Sequence, residues 1–432
     1  MAIHEIRDAI HVFDRVDTRE RSIIDSWPLQ RLRHIHQLAL TDRIYPGATH
    51  SRFEHSLGVM ELSGRVFDSI TQSDRVKPEV RRSLPELADS DQLRYWRRVL
   101  RIAALCHDIG HPPFSHAAER ALYPNDWNHE RMTRALLEGA PLRGMLGRGA
   151  PPLRSEDVIK LAVGPGKAKD LTFSPWESVL SEVIVGDAFG VDRMDYLLRD
   201  SLHAGVVYGR FDHDRLIDTL RILPAVGGTE PQLGIEHGGI HSAEALLLAR
   251  YFMYSQVYFH PVRMVLDLHL IDYLRAVMPG GVFPVEIDDH LAWTDDRVFA
   301  AMHVEARDET SAHHELARRI LDRRHFRILH QVGPDDLEKN SDPAGAIFDA
   351  AALEFAEDNL RRDRRYDEGG SIDFPVHQRD GRVVSSTVLS GALRHLPPIL
   401  AEFIFIAPEL AEHGRDWLTE HLEDILSRKE AG

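Results

Sequence analysis

The sequence predicts a mainly α-helical protein, and two stretches carry that prediction. Residues Tyr95 to Cys106 read YWRRVLRIAALC, and the last turns of this run are apolar on nearly every side, as in a buried helix. After His55, apolar or small residues recur at spacings of three and four, which is typical of an amphipathic helix. They are Met60, Gly64, Phe67 and Ile70. The extended segments are short, so β structure is predicted only as small hairpin additions to a helical bundle.

The predicted elements follow one another as short patterns separated by Gly and Pro. In chain order they are a strand or hairpin over 4–17, helices from about Asp25 to Leu137 with loops at 41–49 and around Pro112, a loop over 139–152, a hairpin over about 220–239, a helix from Ile240 to about Tyr258, a loop over 279–288, helices over 291–324, and strands over 326–332 and 381–388. The hairpin turns at Gly227-Gly228 and is expected to project from the helical body. The runs Arg361-Arg362 and Arg364-Arg365 are expected on solvated helix faces, with phosphate contacts between subunits as the alternative.

Length and composition favour two parts in a chain of 432 residues. A helical core is predicted over 1–262, and a mixed α/β extension over 263–432 is expected to pack on it and to build oligomer contacts. The net charge of −16 argues against extensive nucleic-acid binding. A single cysteine, Cys106, excludes an internal disulfide and fits a reducing cytoplasm. Charges near the N-terminus and the lack of a long apolar run argue against a signal peptide and a membrane span.

The most informative stretch is Cys106 to His111, which reads CHDIGH. It lies where the apolar helix is predicted to end, so His107 and Asp108 would be buried polar groups that need partners. Gly110 and the following prolines stop the helix, and the turn brings His111 and His116 to the same neighbourhood. The alternative is that these are ordinary interior or surface histidines, since the chain has 26 of them. Cys106 itself is interpreted as a small buried hydrophobe and not as a nucleophile.

With His55 upstream and Asp192 downstream, His107 and Asp108 offer one divalent ion two imidazoles and two carboxylates. This mixed nitrogen and oxygen set suits Mn, Fe, Zn, Ni or Mg and does not choose among them. Asp192, Tyr196 and Asp200 recur every four residues, so a predicted ligand, a phenol and a carboxylate share one stripe of a helix.

Several runs together resemble the HD-superfamily phosphohydrolases, and within them the deoxynucleoside triphosphate triphosphohydrolases. The runs are 30–33 with 37–38, 46–50 leading into His55, 106–116, 127–130 and 192–200, in the order that the family shows. They cover about residues 4–260. The resemblance implies an HD-domain helical bundle and an enzyme that releases deoxynucleoside and inorganic triphosphate, without a SAM domain.

The resemblance also implies roles for individual residues. The metal ligands would be His55, His107, Asp108 and Asp192, and the triphosphate would contact Arg52, Arg193 and Arg250. The deoxyribose would contact Gln37, Leu38, Tyr196, Asp200 and Tyr258. The catalytic histidine would be His116, supported by Glu119 and His129, with His111 near the phosphates. His116 and Glu119 are three residues apart on a predicted helix, so the carboxylate is expected to raise the pKa of the imidazole. Three simpler roles compete: an ion pair of an arginine with a nearby acid such as Glu54 or Asp195, a His116 that only orients water, and a Leu38 that only fills the core.

Asp25 and Arg33 match positions that read a guanine nucleotide activator in regulated members of the family. The chain is also expected to form a homodimer or tetramer. The N-terminal run departs from the family pattern, since Asp8-Ala9-Ile10-His11-Val12 stands where Asp-Pro-Ile-His-Gly is usual. Tyr254 also stands where a histidine often occurs. Two functional alternatives stay open. They are hydrolysis of another phosphate ester, such as a nucleoside monophosphate, a cyclic nucleotide or a nucleic-acid end, and a nucleotide-binding sensor without catalysis.

Overall fold

The chain begins with a β-hairpin that leads directly into the first helix. The computed structural model describes residues 2–124, 126–228, 230–367 and 372–427. Strands β1 (Ile3–Asp8) and β2 (Val12–Asp17) pair antiparallel. Asp17 ends β2 and caps the next helix, because its carboxylate accepts hydrogen bonds from the backbone N–H groups of Arg19 and Glu20. The predicted hairpin over 4–17 is confirmed.

Helices make up most of the chain up to residue 219, and all of them except His116–Leu122 contribute to one apolar core. They are α1 (Thr18–Ile24), α2 (Trp27–Gln30), α3 (Arg52–Ile70), α4 (Pro78–Ser83), α5 (Ser90–Cys106), α6 (His116–Leu122), α7 (His129–Glu138), α8 (Leu142–Gly147), α9 (Ser155–Val163), α10 (Pro175–Val185), α11 (Val191–Ala204) and α12 (His213–Thr219). Helix α3 packs along α5, and both bury the apolar residues whose spacing predicted them. The mainly helical fold is confirmed.

Helices also dominate the rest of the chain, with strands between them. The helices are α13 (Ile240–Met253), α14 (Pro261–Val277), α15 (Ile287–Leu291), α16 (Asp295–Glu305), α17 (His314–Leu321), α18 (Pro334–Lys339), α19 (Pro343–Phe355), α20 (Ser386–Leu389), α21 (Gly391–Arg394) and α22 (Ala411–Ser427). The strands are β3 (Leu220–Pro224), β4 (Pro231–Glu236), β5 (Arg327–Gln331), β6 (Leu360–Asp367), β7 (Pro375–His377), β8 (Val383–Ser385) and β9 (Ile399–Ile406). Within the described residues, no helix is both long enough and apolar enough to cross a bilayer.

The predicted hairpin at 220–239 exists as β3 and β4, but it does not project from the body. β4 pairs in parallel with β7, which gives a four-stranded sheet in the order β3-β4-β7-β8. Ile235 of β4 lies opposite Val376 of β7, and both are fully buried. The C-terminal part of the chain therefore covers the hairpin, a contact between distant segments that local pattern does not reveal.

The arginine-rich run near residue 362 is a strand and not a solvated helix face, so that expectation is wrong. β6 pairs with β9 in the sheet β5-β9-β6. Acidic neighbours hold its guanidinium groups: Arg362 Nη2 lies 2.8 Å from Glu402 Oε1, and Arg365 Nε lies 2.8 Å from Asp363 Oδ2. The strand expected over 381–388 is also shorter than predicted, because α20 begins at Ser386.

The crossing of α3 and α11 requires a residue without a side chain at position 58. A Cβ on Gly58 would lie 2.0 Å from Asp195 Oδ1 and 2.4 Å from Arg199 Nη2, both on α11. These two side chains are fully buried and paired with each other, so they cannot move aside cheaply.

We expect Gly58→Ala to lower the free energy of unfolding by about 2–3 kcal/mol, because the added methyl overpacks this crossing. Urea denaturation followed by circular dichroism measures the change. Gly144→Ala is the matched control, since a Cβ at Gly144 in α8 meets nothing within 4 Å. It should be neutral or stabilise by up to about 1 kcal/mol. Equal stability of wild type and Gly58→Ala would contradict the expected clash.

Candidate metal centre and active-site cavity

A cavity of about 1280 Å³ is lined by helices of the N-terminal half and by strand β6. Small-molecule sites usually measure about 300–1,000 Å³, so this cavity is large enough for a nucleotide. Its lining includes His107, Asp108 and Asp192. His55 lies behind them and is fully buried.

The four predicted metal ligands, His55, His107, Asp108 and Asp192, come together at this cavity and form one cluster, the metal group. His55 Nε2 lies 3.0 Å from Asp192 Oδ1 and 3.7 Å from Asp108 Oδ2. His107 Nε2 lies 3.4 Å from both Asp108 Oδ1 and Asp192 Oδ1. Such spacings are those of neighbouring ligands around a divalent ion with bonds of about 2.1 Å. The residues come from α3, the end of α5 and the first turn of α11.

Hydrogen bonds fix both imidazoles in the orientation that a metal needs. His55 Nδ1 donates to Asp195 Oδ2 at 2.8 Å, and His107 Nδ1 donates to the carbonyl of Ala104 at 2.7 Å. Each Nε2 is therefore left to face the cluster. Among the residues that the structure describes, the buried Nε2 of His107 has no hydrogen-bond partner. An unsatisfied imidazole nitrogen facing two carboxylates fits a divalent cation.

The local charge also favours a cation. Burial lowers the pKa of His55, but hydrogen bonds to Asp192 and Asp195 outweigh burial and raise it to about 10. The imidazole thus carries a proton on the side where a metal would bind, and a metal ion can replace that proton. Burial raises the pKa of Asp192, yet its contacts with His107 and His55 bring it below its ordinary value.

Arg52 occupies the space between the metal group and the next turn of the chain. Its side chain is buried, its Nη1 pairs with Asp108, and its Nε donates to Ser115 Oγ at 2.6 Å. The predicted alternative for Arg52, an ion pair with an acid, is thus present, but the partner is Asp108, a predicted metal ligand. A phosphate that approached the metal would meet this guanidinium directly.

A second group of histidines lies beside the metal group. His116 Nδ1 donates to Glu119 Oε2 at 2.8 Å, and His129 Nδ1 donates to Glu119 Oε1 at 2.7 Å. His111 stacks on His129 with ring centres 3.9 Å apart, and its Nε2 lies 3.3 Å from Asp108 Oδ1. The carboxylate of Glu119 therefore bridges the imidazoles of His116 and His129. The imidazole of His111 links this pair to the metal group.

Protons divide unequally between the two imidazoles on Glu119. Burial lowers the pKa of His129, but Glu119 raises it above its ordinary value. Desolvation inside the cavity lowers the pKa of His116 although its ring faces the open space, and together with the charges of His129 and Arg52 it outweighs the hydrogen bond to Glu119. Glu119 therefore raises the pKa of His116 as expected, but the net pKa lies below its ordinary value.

The turn after α5 brings these groups together and needs Gly110. A Cβ there would lie 2.2 Å from the carbonyl oxygen of His129 and 2.4 Å from the backbone nitrogen of Thr133. Gly110 N–H instead donates to Thr133 Oγ1 at 3.0 Å, and that hydroxyl donates to the carbonyl of His107 at 3.1 Å. Helix α7 can therefore lie against the turn and present His129.

The predicted sugar contacts form another wall of the cavity. Asp192, Tyr196 and Asp200 line it from one stripe of α11, together with Gln37 and Leu38. Asp200 is held by two neighbours: Tyr258 donates to its Oδ2 at 2.7 Å, and His50 Nε2 lies 2.7 Å from its Oδ1. Tyr258 also lines the cavity. The stripe predicted from the sequence is present, while the sugar-binding role of these residues stays a prediction.

Six predicted site residues do not line the cavity, and two of them, His55 and His111, are fully buried. Arg193 lies next to it, 3.9 Å from Asp187 Oδ1, and Arg250 pairs with Asp367. The predicted activator residues are exposed: Asp25 Oδ2 lies 3.6 Å from Arg21 Nε, and the guanidinium of Arg33 lies 3.6 Å from the centre of the Phe53 ring. The structure therefore does not bring the predicted activator residues to the metal group.

Two features of the site were not predicted. Asp195 orients His55, whereas the sequence suggests it only as an ion-pair partner of Arg52 or Arg193. Its spacing of four residues from Arg199 is the signal that pairs them. The C-terminal wall formed by β6 had no local signal at all. Cys106 is buried, and burial raises the pKa of its thiol to about 12, which agrees with its interpretation as a small hydrophobe.

Comparison with known families agrees with this geometry. Residues 52–199 match the family model of the HD domain, and residues 211–359 match that of the HD associated region. The first match contains all four predicted metal ligands. The second spans the boundary predicted at residues 262 and 263, which stays a prediction.

Known relatives cover different shares of the chain. An uncharacterized protein of Methanocaldococcus jannaschii is 36% identical over 262 residues, which are 61% of this chain and 47% of that protein. The deoxynucleoside triphosphate triphosphohydrolase SAMHD1 of Danio rerio is 27% identical over 410 residues, covering 85% of this chain and 61% of the relative. The chain thus spans about half to three fifths of these relatives. The crystal structure of a hypothetical protein from Aquifex aeolicus has a TM-score of 0.78 at 30% identity and covers 96% of this chain and all of that one.

Glu182 of α10 also lines the cavity, and burial raises its pKa to about 7 from an ordinary 4.5 although Leu233 N–H donates to it. The unfolded chain ionises this carboxyl at lower pH than the folded protein. The stability that the protonated form contributes is therefore present below about pH 4.5 and lost as pH rises through about 7.

We expect Glu182→Gln to remove this loss, because the amide keeps the hydrogen bond from Leu233 and carries no charge. Urea denaturation at about pH 5 and about pH 8 compares the two proteins. From about pH 5 to about pH 8, the free energy of unfolding of the variant should rise by up to about 2 kcal/mol relative to that of wild type. A wild-type-to-variant difference that is the same at both pH values would contradict the raised pKa.

Proposed function

The chain belongs to the HD superfamily of phosphohydrolases, and we propose that it hydrolyses deoxynucleoside triphosphates at the α-phosphorus, giving deoxynucleoside and inorganic triphosphate. One observation carries the proposal. A single cavity is lined by His107, Asp108 and Asp192 with His55 buried behind them, by the histidine pair on Glu119, and by the stripe of α11 with Tyr258. Metal chemistry, proton transfer and recognition of a sugar can therefore act on one bound nucleotide.

His55, His107, Asp108 and Asp192 would hold one divalent ion. When bound, the ion would act as a Lewis acid, which neutralises charge on phosphoryl oxygens and lowers the pKa of a water molecule bound to it. The protein's own contribution is to hold the four side chains in place. Asp195 and the carbonyl of Ala104 do this for the two imidazoles.

Arg52 supplies positive charge where the α-phosphate would lie. Its guanidinium is already desolvated and held by Ser115 and Asp108, so little reorganisation is needed when an anion arrives. Arg193 lies within reach of the same wall, and two of its buried nitrogens have no partner among the described residues. It would turn toward the phosphate tail.

His116 is the proposed proton donor to the leaving 5′-oxygen. Its ring is exposed to the cavity, and its Nδ1 is held by Glu119, so Nε2 is the nitrogen that remains for substrate. In the absence of substrate its pKa is lowered, but the negative charge of a bound triphosphate would raise it and favour the protonated form. His129 stays protonated, donates a hydrogen bond to Glu119 and so stabilises that carboxylate.

Discrimination of the sugar is assigned to Asp200, Tyr258, Gln37 and Leu38. Asp200 is held by His50 and Tyr258 and can accept a hydrogen bond from a 3′-hydroxyl. Leu38 offers no partner to a 2′-hydroxyl, and a site that leaves a hydroxyl unpaired disfavours it.

Hydrolysis of a nucleotide with fewer phosphates is the second candidate. It is favoured by one observation: Arg250, expected to bind the phosphate tail, is already paired with Asp367. Activation by a guanine nucleotide at Asp25 and Arg33, and assembly into a homodimer or tetramer, also remain proposals that follow from the resemblance.

We expect the purified protein with Mn to release inorganic triphosphate from each deoxynucleoside triphosphate, and to lose this activity when a chelator removes the metal. Chromatography of the products distinguishes triphosphate from pyrophosphate and phosphate. Parallel assays include deoxynucleoside mono- and diphosphates, ribonucleotides and added GTP. Cleavage of other phosphate esters, without any triphosphate release in the presence or absence of GTP, would exclude the proposed reaction.

We expect His116→Ala to lower kcat by about 10²–10⁴-fold, because the leaving oxygen loses its proton donor, while metal content is unchanged. Steady-state kinetics and metal analysis of the same preparations measure both. The control is His241→Ala, since this histidine lies exposed on α13 and its ring pairs only with Glu244 in the described chain. A His116→Ala protein with wild-type kcat would show that His116 is not the donor.

A further inference from the structure

An ion pair between two distant parts of the chain closes one side of the cavity. Arg250 of α13 and Asp367 at the end of β6 are paired through Nη2 and Oδ1, and their side chains are only 11% and 12% exposed. The guanidinium of Arg250 also lies over the ring of Tyr254, 4.7 Å from its centre. Both Tyr254 and Asp367 line the cavity.

This pair lies close to the proposed phosphate-binding region. Asp367 lines the same cavity as Asp192 and Tyr196, and Arg250 is paired with it outside the lining. A phosphate tail that extended from the metal group along this wall would therefore meet Asp367 and could reach Arg250 only by displacing that carboxylate. The guanidinium attracts it, and the carboxylate repels it.

Asp367 is held in this position by the sheet. It lies opposite Ile399 in the antiparallel pairing of β6 with β9, so its backbone cannot move without disturbing that strand pair. The neighbouring basic residues of β6 do not neutralise it, since Arg365 pairs with Asp363 and the Nε of Arg364 lies 4.0 Å from Glu402. The negative charge is thus a fixed part of the cavity wall.

We propose that Asp367 is a specificity-determining residue that occupies Arg250 and so weakens binding of the terminal phosphate of a triphosphate relative to shorter phosphate chains. The inference rests on the proposed function only in that the cavity binds phosphates. An anion must displace a charge-assisted hydrogen bond to reach Arg250, and it then lies beside an unpaired carboxylate. The C-terminal strand therefore sets the preferred length of the phosphate chain.

The experiment compares the metal-loaded wild type with Asp367→Asn, which keeps the size of the side chain and removes its charge. Isothermal titration calorimetry measures the affinity for inorganic triphosphate and for pyrophosphate, and kinetics measure KM for deoxynucleoside triphosphates. We expect triphosphate to bind the variant about tenfold more tightly, with a smaller gain for pyrophosphate. The matched control is Asp373→Asn, which removes the same charge from the cavity lining but leaves the Arg250–Asp367 pair intact and frees no guanidinium among the described residues, because Asp373 accepts hydrogen bonds from Ser385 and Ser386. It should leave the ratio of the two affinities unchanged.

Arg250→Ala combined with Asp367→Asn should abolish the gain, because no guanidinium is then released. Asp367→Ser is the second variant if Asp367→Asn does not fold. Unchanged or weaker binding of triphosphate in the folded variant would overturn the inference, as would an equal gain in the Asp373→Asn control. A wild type that hydrolyses no triphosphate, together with a gain in Asp367→Asn, would overturn the proposed reaction and support the role of Asp367. Normal hydrolysis of triphosphates by the wild type, without tighter triphosphate binding by Asp367→Asn, would support the proposed reaction and overturn the role of Asp367.

Discussion

The carboxylate of Asp195 is the interaction on which the rest of the site depends. Its Oδ2 accepts a hydrogen bond from His55 Nδ1 at 2.8 Å, and its Oδ1 lies 2.7 Å from His11 Nε2. Arg199 donates to both oxygens at 2.9 Å. A buried carboxylate is stable only when its charge and lone pairs are satisfied, so the N-terminal hairpin, α3 and α11 must meet at this point. The absence of a side chain at Gly58 allows α3 to come close enough.

The metal group could be predicted from sequence because its ligands belong to local patterns. His107 and Asp108 end an apolar helix, His55 begins an amphipathic one, and Asp192 starts a stripe with a period of four. Each pattern fixes an orientation within its own element. The resemblance to a family supplied what periodicity cannot, namely that these three elements meet.

The rest could not be predicted because it depends on contacts between residues far apart in the chain. The arginines of 361–365 suggested a charged helix face, whereas β9 lies about 40 residues further on and pairs with them as a strand. The bridge from His116 through Glu119 to His129 likewise joins two helices, and spacing along one helix does not show it. Asp367 reaches Arg250 across 117 positions of the sequence.

The cavity combines opposite requirements, and this explains why its charged residues are paired. A metal group needs carboxylates, a phosphate chain needs guanidinium groups, and both lie in a protein with a net charge of −16. An unpaired guanidinium in such a cavity carries a large desolvation cost, and two of the arginines are held by acids that an anion would have to replace. Asp108 does this for Arg52, and Asp367 does it for Arg250. The first acid is itself a proposed metal ligand, so a bound cation would weaken its hold and release Arg52 toward phosphate. Asp367 is not a proposed metal ligand, so a bound cation does not release Arg250. An anion can therefore bind Arg250 only in competition with a fixed carboxylate.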